Sequence, residues 1–351
     1  MTSAQPIQQR LEVERVLGNG TYGQVVRCLE HGANRRVAVK VAKPEAPYRR
    51  SAENEIHVLR RLQHCPRVLR FIDSFESDSR IHIVTELLQK NLYEALKGAR
   101  FQRMSLHRVR DVAESVLTAI AELHAIGYIH CDIKPENVMQ RGKCDGADDI
   151  VMIDFGSVRK VAENQYYDVQ SLWYRAPEVM CGLPYTTKID SWSIGCLLYE
   201  LHTGMPLFPG DNEQDSMAQV VGVVGRPSAT AMGFGTKTMM FDFEPSATVD
   251  PYVLQTNLEG DDTQVTLFRD LLVRLLSPDE GLRITAAEAL QHPFLRGRDV
   301  SEPGMEPVGN GSSLSANWLS YAGNSPASTG PDEGASQQLT PPVAIDEWDC
   351  I

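Results

Sequence analysis

Two carboxylates 22 residues apart carry the chemistry of this chain: Asp132, inside His130-Cys131-Asp132-Ile133-Lys134-Pro135-Glu136-Asn137, and Asp154, opening Asp154-Phe155-Gly156. Moving a phosphoryl group from ATP needs positioning and electrostatics more than covalent chemistry. One carboxylate must orient the attacking hydroxyl. A second must hold Mg²⁺ on the phosphates, and an amide must serve a second Mg²⁺. Asp132, Asp154 and Asn137 supply those groups in the required order and spacing. Either triplet alone is compatible with chance; both, downstream of a glycine-rich loop and a strand lysine, are not.

That loop is Gly18-Asn19-Gly20-Thr21-Tyr22-Gly23-Gln24-Val25. Glycines let a backbone fold tightly over phosphates so that its N–H groups face them. A dinucleotide-binding turn shares the pattern but opens a helix, whereas a strand follows here. Lys40, in Val37-Ala38-Val39-Lys40, lies 17 residues beyond Gly23. It is read as the contact to the α/β-phosphates, against the plainer reading of a surface lysine. Glu55 on the next helix is its expected partner, preferred over Glu53 because Ile56, Val58 and Leu59 follow it in the order that faces a core. Lys134 lies two residues after Asp132, within reach of the γ-phosphate.

The elements that must hold these groups fall into two textures. Short β-prone runs at Leu11–Leu17, Gln24–Leu29, Arg36–Val41, Val68–Phe75 and Arg80–Glu86 are separated by turn residues. One helical stretch, Ser51–Gln63, interrupts them. Beyond Asn91 helices take over. Val109, Val112, Ala113, Val116, Leu117, Ile120 and Leu123 form one face of a four-turn helix that leads into the Asp132 loop. Ser191–Leu201 and Thr266–Leu276 read as further buried helices, while the stretch between Pro209 and Thr266 carries no legible motif. The fold class is therefore α+β: a small β-rich lobe with one helix, and a larger, mostly helical lobe.

The net charge of −12 argues against a nucleic-acid binder. Residues 301–351 hold seven acids and no lysine or arginine, so the first 300 residues, with 34 bases against 39 acids, come to only −5. The seven cysteines are odd in number and widely spaced, with no Cys-x-x-Cys pair, which suits reduced thiols. The first ten residues lack the apolar core of a signal peptide, no run approaches a membrane span, and Cys350 is wrongly placed for prenylation. The expectation is a chain of the cytoplasm or nucleus, without membrane or nucleic-acid partners. From about Gly297 the composition turns Gly/Ser/Pro-rich and acidic, and reads as disordered. The expected organisation is a lead over residues 1–10, a catalytic domain over 11–297 (small lobe about 11–86, hinge 86–90, large lobe 91–297) and a tail over 298–351.

Residues 11–297 resemble a eukaryotic protein kinase of the CMGC group, with most likeness to the DYRK family. The resemblance rests on the Asp132 and Asp154 motifs, Asn91-Leu92-Tyr93, Phe101 with Ser105-Leu106, and Gln170-Ser171 before Tyr174-Arg175-Ala176-Pro177-Glu178. It implies a Ser/Thr protein kinase that uses ATP and Mg²⁺, with protein substrates bearing Ser or Thr acceptors. Asp132 and Lys134 would be catalytic, and Asn137 and Asp154 would hold metal. Leu17, Gly18, Gly20, Gly23, Val25, Ala38, Lys40, Glu55, Thr85, Glu86 and Leu88 would bind ATP, with Thr85 at the back of the pocket and Glu86–Leu88 as the adenine hinge. It further implies structural pairing of Glu178 with Arg283, anchoring of the catalytic loop by Asp190, and packing of His130 and Phe155 with Leu59 and Phe71. Arg175 matches the arginine that shapes the pocket for the residue after the acceptor, commonly proline. Oligomeric state is left open.

Three departures stand out. Cys131 replaces the common arginine before the base and is read as a packed thiol. Counting back from Gln170 places Asp168, in Tyr166-Tyr167-Asp168-Val169, where the family's second tyrosine is autophosphorylated, and Leu172 stands where an arginine is usual. An Asp168–Arg175 pair holding the segment open without phosphorylation is one expectation. A one-residue insertion that brings Tyr167 into place, or a merely solvated Asp168, are the others. A catalytically silent scaffold, another CMGC subfamily and a lipid or small-molecule kinase remain as rival readings.

Overall fold

In the computed structural model the residues described are 6–142, 150–163, 168–228, 233, 235–246, 253–256, 258 and 263–297. The expected tail, Tyr166 and Tyr167 lie outside them.

The small lobe is a five-stranded antiparallel sheet in the order β1-β2-β3-β5-β4: β1 Leu11–Asn19, β2 Gly23–Glu30, β3 Arg35–Ala42, β4 Phe71–Ser77 and β5 Arg80–Glu86. Alternation does the sorting. Val26, Cys28, Val37, Val39 and Val84 bury one face, so Val25, Ala38 and Lys40 project from the other. Helix α1, Ala46–Arg61, begins five residues before its expected start because Pro47 fits the first turn, where an N–H has no partner to lose. Strand β4 begins at Phe71, three residues late; Val68 forms an isolated bridge to Met152 instead.

The large lobe opens with α2, Leu92–Gly98, started by a reciprocal capping box in which Asn91 accepts from the Glu94 N–H and Glu94 from that of Asn91. Ser105 caps α3, Leu106–Ala125, whose expected apolar face is fully buried. Then come the short pairs β6 (Tyr128–Ile129) with β9 (Arg159–Lys160) and β7 (Val138–Gln140) with β8 (Ile150–Met152). The catalytic loop lies between β6 and β7. Helix α4, Pro177–Met180, closes the activation segment, and α5, Lys188–Thr203, is buried nearly all round. Helix α6, Glu213–Val224, occupies part of the stretch without a legible motif, capped by Asn212. Helix α7, Thr263–Leu275, packs its apolar face inward. Among the described residues no helix is long and apolar enough to cross a membrane.

Candidate active site

Register places the nucleotide-side residues before any packing argument is needed. Val25 opposes Lys40 across β2–β3, and Lys40 opposes Ile83 across β3–β5. One step along, Ala38 opposes Thr85. These two rows share one sheet face and form the roof of a cavity of about 580 Å³, a size suited to a small-molecule ligand. Of the residues singled out in the sequence, Leu17, Val25, Ala38, Lys40, Glu55, Thr85, Glu86, Leu88 and Asp154 line it, joined by Leu69, Ile83, Met139 and Ile153. The last four are ordinary apolar residues, Ile83 and Met139 within strands and Leu69 and Ile153 beside them, and nothing in their sequence context marks them.

Gly18, Gly20 and Gly23 belong to the β1–β2 hairpin but not to that lining. Gly20 and Gly23 close the turn with reciprocal backbone bonds of 2.8 and 3.3 Å. Gly23 is glycine for a packing reason: a Cβ there would lie 2.1 Å from the Val41 carbonyl oxygen of β3. At the hinge the Glu86 carboxylate is taken by Arg141, at 2.7 and 2.8 Å, and by the Arg70 N–H. Only its backbone is left to face the cavity.

Lys40 Nζ donates to Asp154 Oδ1 at 2.7 Å and to Glu55 Oε2 at 2.9 Å. Burial disfavours the lysine's charge, but the two carboxylates outweigh it and raise its pKa. Burial likewise pushes Asp154 up, and the Lys40 charge and hydrogen bond reverse this, holding the carboxyl below its ordinary value. Glu55 keeps a raised value because burial wins over Lys40 there. Asp154 adopts a left-handed φ of 56°. Gly156 allows the close docking of α1, since a Cβ would sit 2.9 Å from Ser51 Oγ, which donates to the Gly156 carbonyl at 2.7 Å.

Asp132 is held by three side chains. Asn137 Nδ2 donates to its carbonyl at 2.7 Å and to Oδ2 at 3.0 Å. Lys134 Nζ lies 3.2 Å from Oδ2. Ser171 donates to Oδ1 at 2.8 Å and accepts from Lys134 at 3.1 Å. The loop itself hangs on buried Asp190, which accepts from the His130 and Cys131 N–H groups at 2.8 and 3.0 Å and from His124. Cys131 sits at φ 68° with its thiol pushed well above the ordinary range by burial, as suits a packing residue. His130 meets Phe155 edge-on at 5.2 Å, both fully buried. Glu178 and Arg283 pair through two bonds of 2.6 and 2.9 Å.

The expected Asp168–Arg175 pair is not formed. Asp168 is bound by Lys237 at 2.6 Å. Arg175 spends its guanidinium on the Gln170 carbonyl, at 2.8 and 3.2 Å, and on Glu213 at 2.6 Å. With its guanidinium turned to those acceptors, it makes no ion pair with Asp168. Gln170, Ser171, Glu213 and Lys237 went unassigned in the sequence, and so did Glu136. Its Oε2 is buried with no hydrogen-bond partner, its pKa is raised by burial, and it lines the cavity together with Glu94.

Comparison with known proteins agrees with this geometry. The model of the protein kinase domain matches residues 11–295. Homeodomain-interacting protein kinase 2 of Mesocricetus auratus is 34% identical over 330 residues, covering 81% of this chain and 28% of the relative. The dual specificity tyrosine-phosphorylation-regulated kinase mbk-2 of Caenorhabditis elegans is 36% identical over 341 residues, 86% of this chain and 41% of its own length. The corresponding kinase 3 of Macaca fascicularis is 34% identical, with 82% of this chain and 56% of the relative covered. The chain thus spans between about a quarter and somewhat over half the length of these relatives. With that match and this two-lobed fold, the chain belongs to the protein kinase family, similar to the HIPK and DYRK kinases of the CMGC group.

Proposed function

We propose that this chain transfers the γ-phosphate of ATP to serine or threonine hydroxyls of proteins, with preference for acceptors followed by proline. The observation that carries the reading is the Asp132 carboxylate, fixed by Asn137, Lys134 and Ser171, in a loop whose Glu136 lines the cavity that also holds the Lys40–Asp154–Glu55 cluster. Lys40 would bind the α/β-phosphates. Asp132 would orient the acceptor hydroxyl and take its proton as that oxygen bonds to the γ-phosphorus. The bond to the β-phosphate oxygen then breaks and ADP leaves, while Lys134 offsets charge on the transferred group. Asn137 and Asp154 fit Mg²⁺, since an amide oxygen and a carboxylate are hard donors and the phosphates complete such a shell. When bound, the metal supplies charge neutralisation on the phosphate oxygens.

Proline preference follows from Gln170. Its φ of 68° turns the carbonyl toward Arg175, which occupies it with two donors. The N–H of a residue after the acceptor then finds no backbone acceptor at Gln170, and proline has no N–H to leave unpaired. Glu136, half-buried on the cavity lining with one carboxylate oxygen unpartnered, would take a basic substrate side chain. A degenerate-peptide screen with purified protein and Mg·ATP tests the reading. Ser-Pro and Thr-Pro peptides should be phosphorylated in preference to their Ala counterparts. Equal turnover removes the proline claim, and no turnover of any peptide removes the kinase reading.

A further inference from the structure

Resting on the kinase reading above, we propose that Lys237 is a positioning residue for the substrate-binding part of the activation segment. It is the bridging cation of a four-residue relay, Asp168–Lys237–Glu213–Arg175, that holds Gln170 in place without a loop phosphate.

Gln170 is the residue that needs holding. A left-handed φ of 68° is unfavourable for any residue with a Cβ. The surroundings over-determine it. Its N–H donates to the Cys131 carbonyl at 2.9 Å, its side-chain amide donates to Ile189 O and Ser193 Oγ at 2.9 and 2.8 Å, and its side-chain oxygen accepts from the Ala176 N–H at 3.0 Å. The last group, its carbonyl, is held by Arg175. Arg175 therefore decides whether the carbonyl faces it or the substrate.

Arg175 is in turn aimed by Glu213 at 2.6 Å, and the second Glu213 oxygen lies 3.4 Å from Lys237 Nζ. Lys237 also holds Asp168 at 2.6 Å. The charges alternate along the relay, so each interior member has an opposite charge on both sides. Lys237 does not reach in from a loose loop. Its N–H donates to the Cys181 carbonyl at 2.9 Å and that of Thr236 to Gly182 at 3.2 Å, tying the segment to the end of α4. The relay thus joins three stretches of chain: the activation segment at Asp168 and Arg175, the first turn of α6, and residues 236–237.

Exposure ranks the links. Asp168 is 65% exposed, so its pair alone is weak, while Glu213 and Arg175 at 28% and 18% are shielded. Lys237 matters chiefly by fixing Glu213 behind Arg175 and, second, by tethering Asp168. Both cations already hold a carboxylate, so their charge is balanced without a phosphate.

The test compares wild type, Lys237→Ala, Lys237→Arg and the exchange Lys237→Asp/Asp168→Lys, all full chain and phosphatase-treated. Steady-state rates are read with Ser-Pro and Ser-Ala peptides. Lys237→Ala should raise the Ser-Pro peptide KM about threefold or more, the scale of one partly shielded ion pair, and narrow the preference over Ser-Ala, with the KM for ATP unchanged. Lys237→Arg should behave as wild type, and the exchange should stay at least as impaired as Lys237→Ala, because it keeps a pair with position 168 but sets a carboxylate against Glu213. Phosphatase treatment should leave wild type active. An unchanged peptide KM in Lys237→Ala, an equal rise in the KM for ATP, or loss of wild-type activity on phosphatase treatment each overturns the relay. If wild type phosphorylates no peptide, the kinase reading falls and proteolysis decides the relay alone. Cleavage between residues 159 and 176 should be faster in Lys237→Ala, and equal rates contradict it.

Discussion

The hydroxyl of Ser171 stands 2.8 Å from Asp132 Oδ1 and donates to it. An acceptor hydroxyl must engage the same carboxylate, so Ser171 sets the direction in which Asp132 presents its free edge. Ser171→Ala should leave ATP affinity unchanged and lower kcat about tenfold, the size expected for one hydrogen bond to a charged group. Ser171→Thr should retain most activity. Steady-state kinetics with one peptide separates the two, and a full-rate Ser171→Ala enzyme would deny the serine this role.

A second prediction concerns the back of the cavity. Thr85 is 7% exposed and sits directly across the β3–β5 ladder from Ala38. Two small side chains here leave depth behind the adenine site. Bulky inhibitors that need a small residue at this point should bind wild type, and Thr85→Phe should exclude them. Equal inhibition of the two proteins would mean that Thr85 does not guard the cavity.

Stability should hinge on Arg283. Its side chain is fully buried against Glu178, and it also donates to the Ser277 and Lys188 carbonyls at 2.9 and 3.1 Å. Arg283→Met strands a buried carboxylate, a change that costs about 3–5 kcal/mol. Thermal unfolding should show a large fall in Tm for Arg283→Met and a smaller one for the Glu178→Gln/Arg283→Met double variant. Equal falls would mean that the charge left behind is not the cause.

Glu200 predicts a pH dependence. Burial pushes its carboxyl from 4.5 to about 7, against the opposing hydrogen bond from Tyr174 and with help from the Glu136 charge; the Tyr174 hydroxyl lies 2.5 Å away. The folded form holds the proton that the unfolded chain has already released. Stability should therefore fall as pH rises from about 4.5 to about 7 and level off above. Urea midpoints across that window should drop in wild type relative to Glu200→Gln; parallel curves would reject the assignment.

Local chemistry was legible in the sequence and distant pairing was not. Lys40, Asp132 and Asp154 announce themselves because each sits in a short stretch whose neighbours fix its backbone, as the β3 alternation does for Lys40. Glu55 followed from one helical period. The lining at Leu69, Met139 and Ile153 was invisible because apolar residues in and beside short strands look alike whichever way they face. The start of α1 was missed because Pro47 interrupts a helical pattern anywhere but in the first turn, which is where it sits. Asp168 was given the wrong partner for a different reason. Arg175 is seven residues away and Lys237 is 69, and only the fold shows that Gln170 and Glu213 had already claimed the nearer cation.

The most direct test of the account is the rate of γ-phosphate transfer by Asp132→Asn, measured beside its ATP affinity. The substitution keeps the shape that Asn137 and Ser171 grip and removes only the base and its charge. The geometry predicts ATP binding within about twofold of wild type and a kcat lower by about 10²–10⁴-fold. A variant that keeps more than a tenth of wild-type kcat would contradict the assignment of Asp132 as the group that takes the proton.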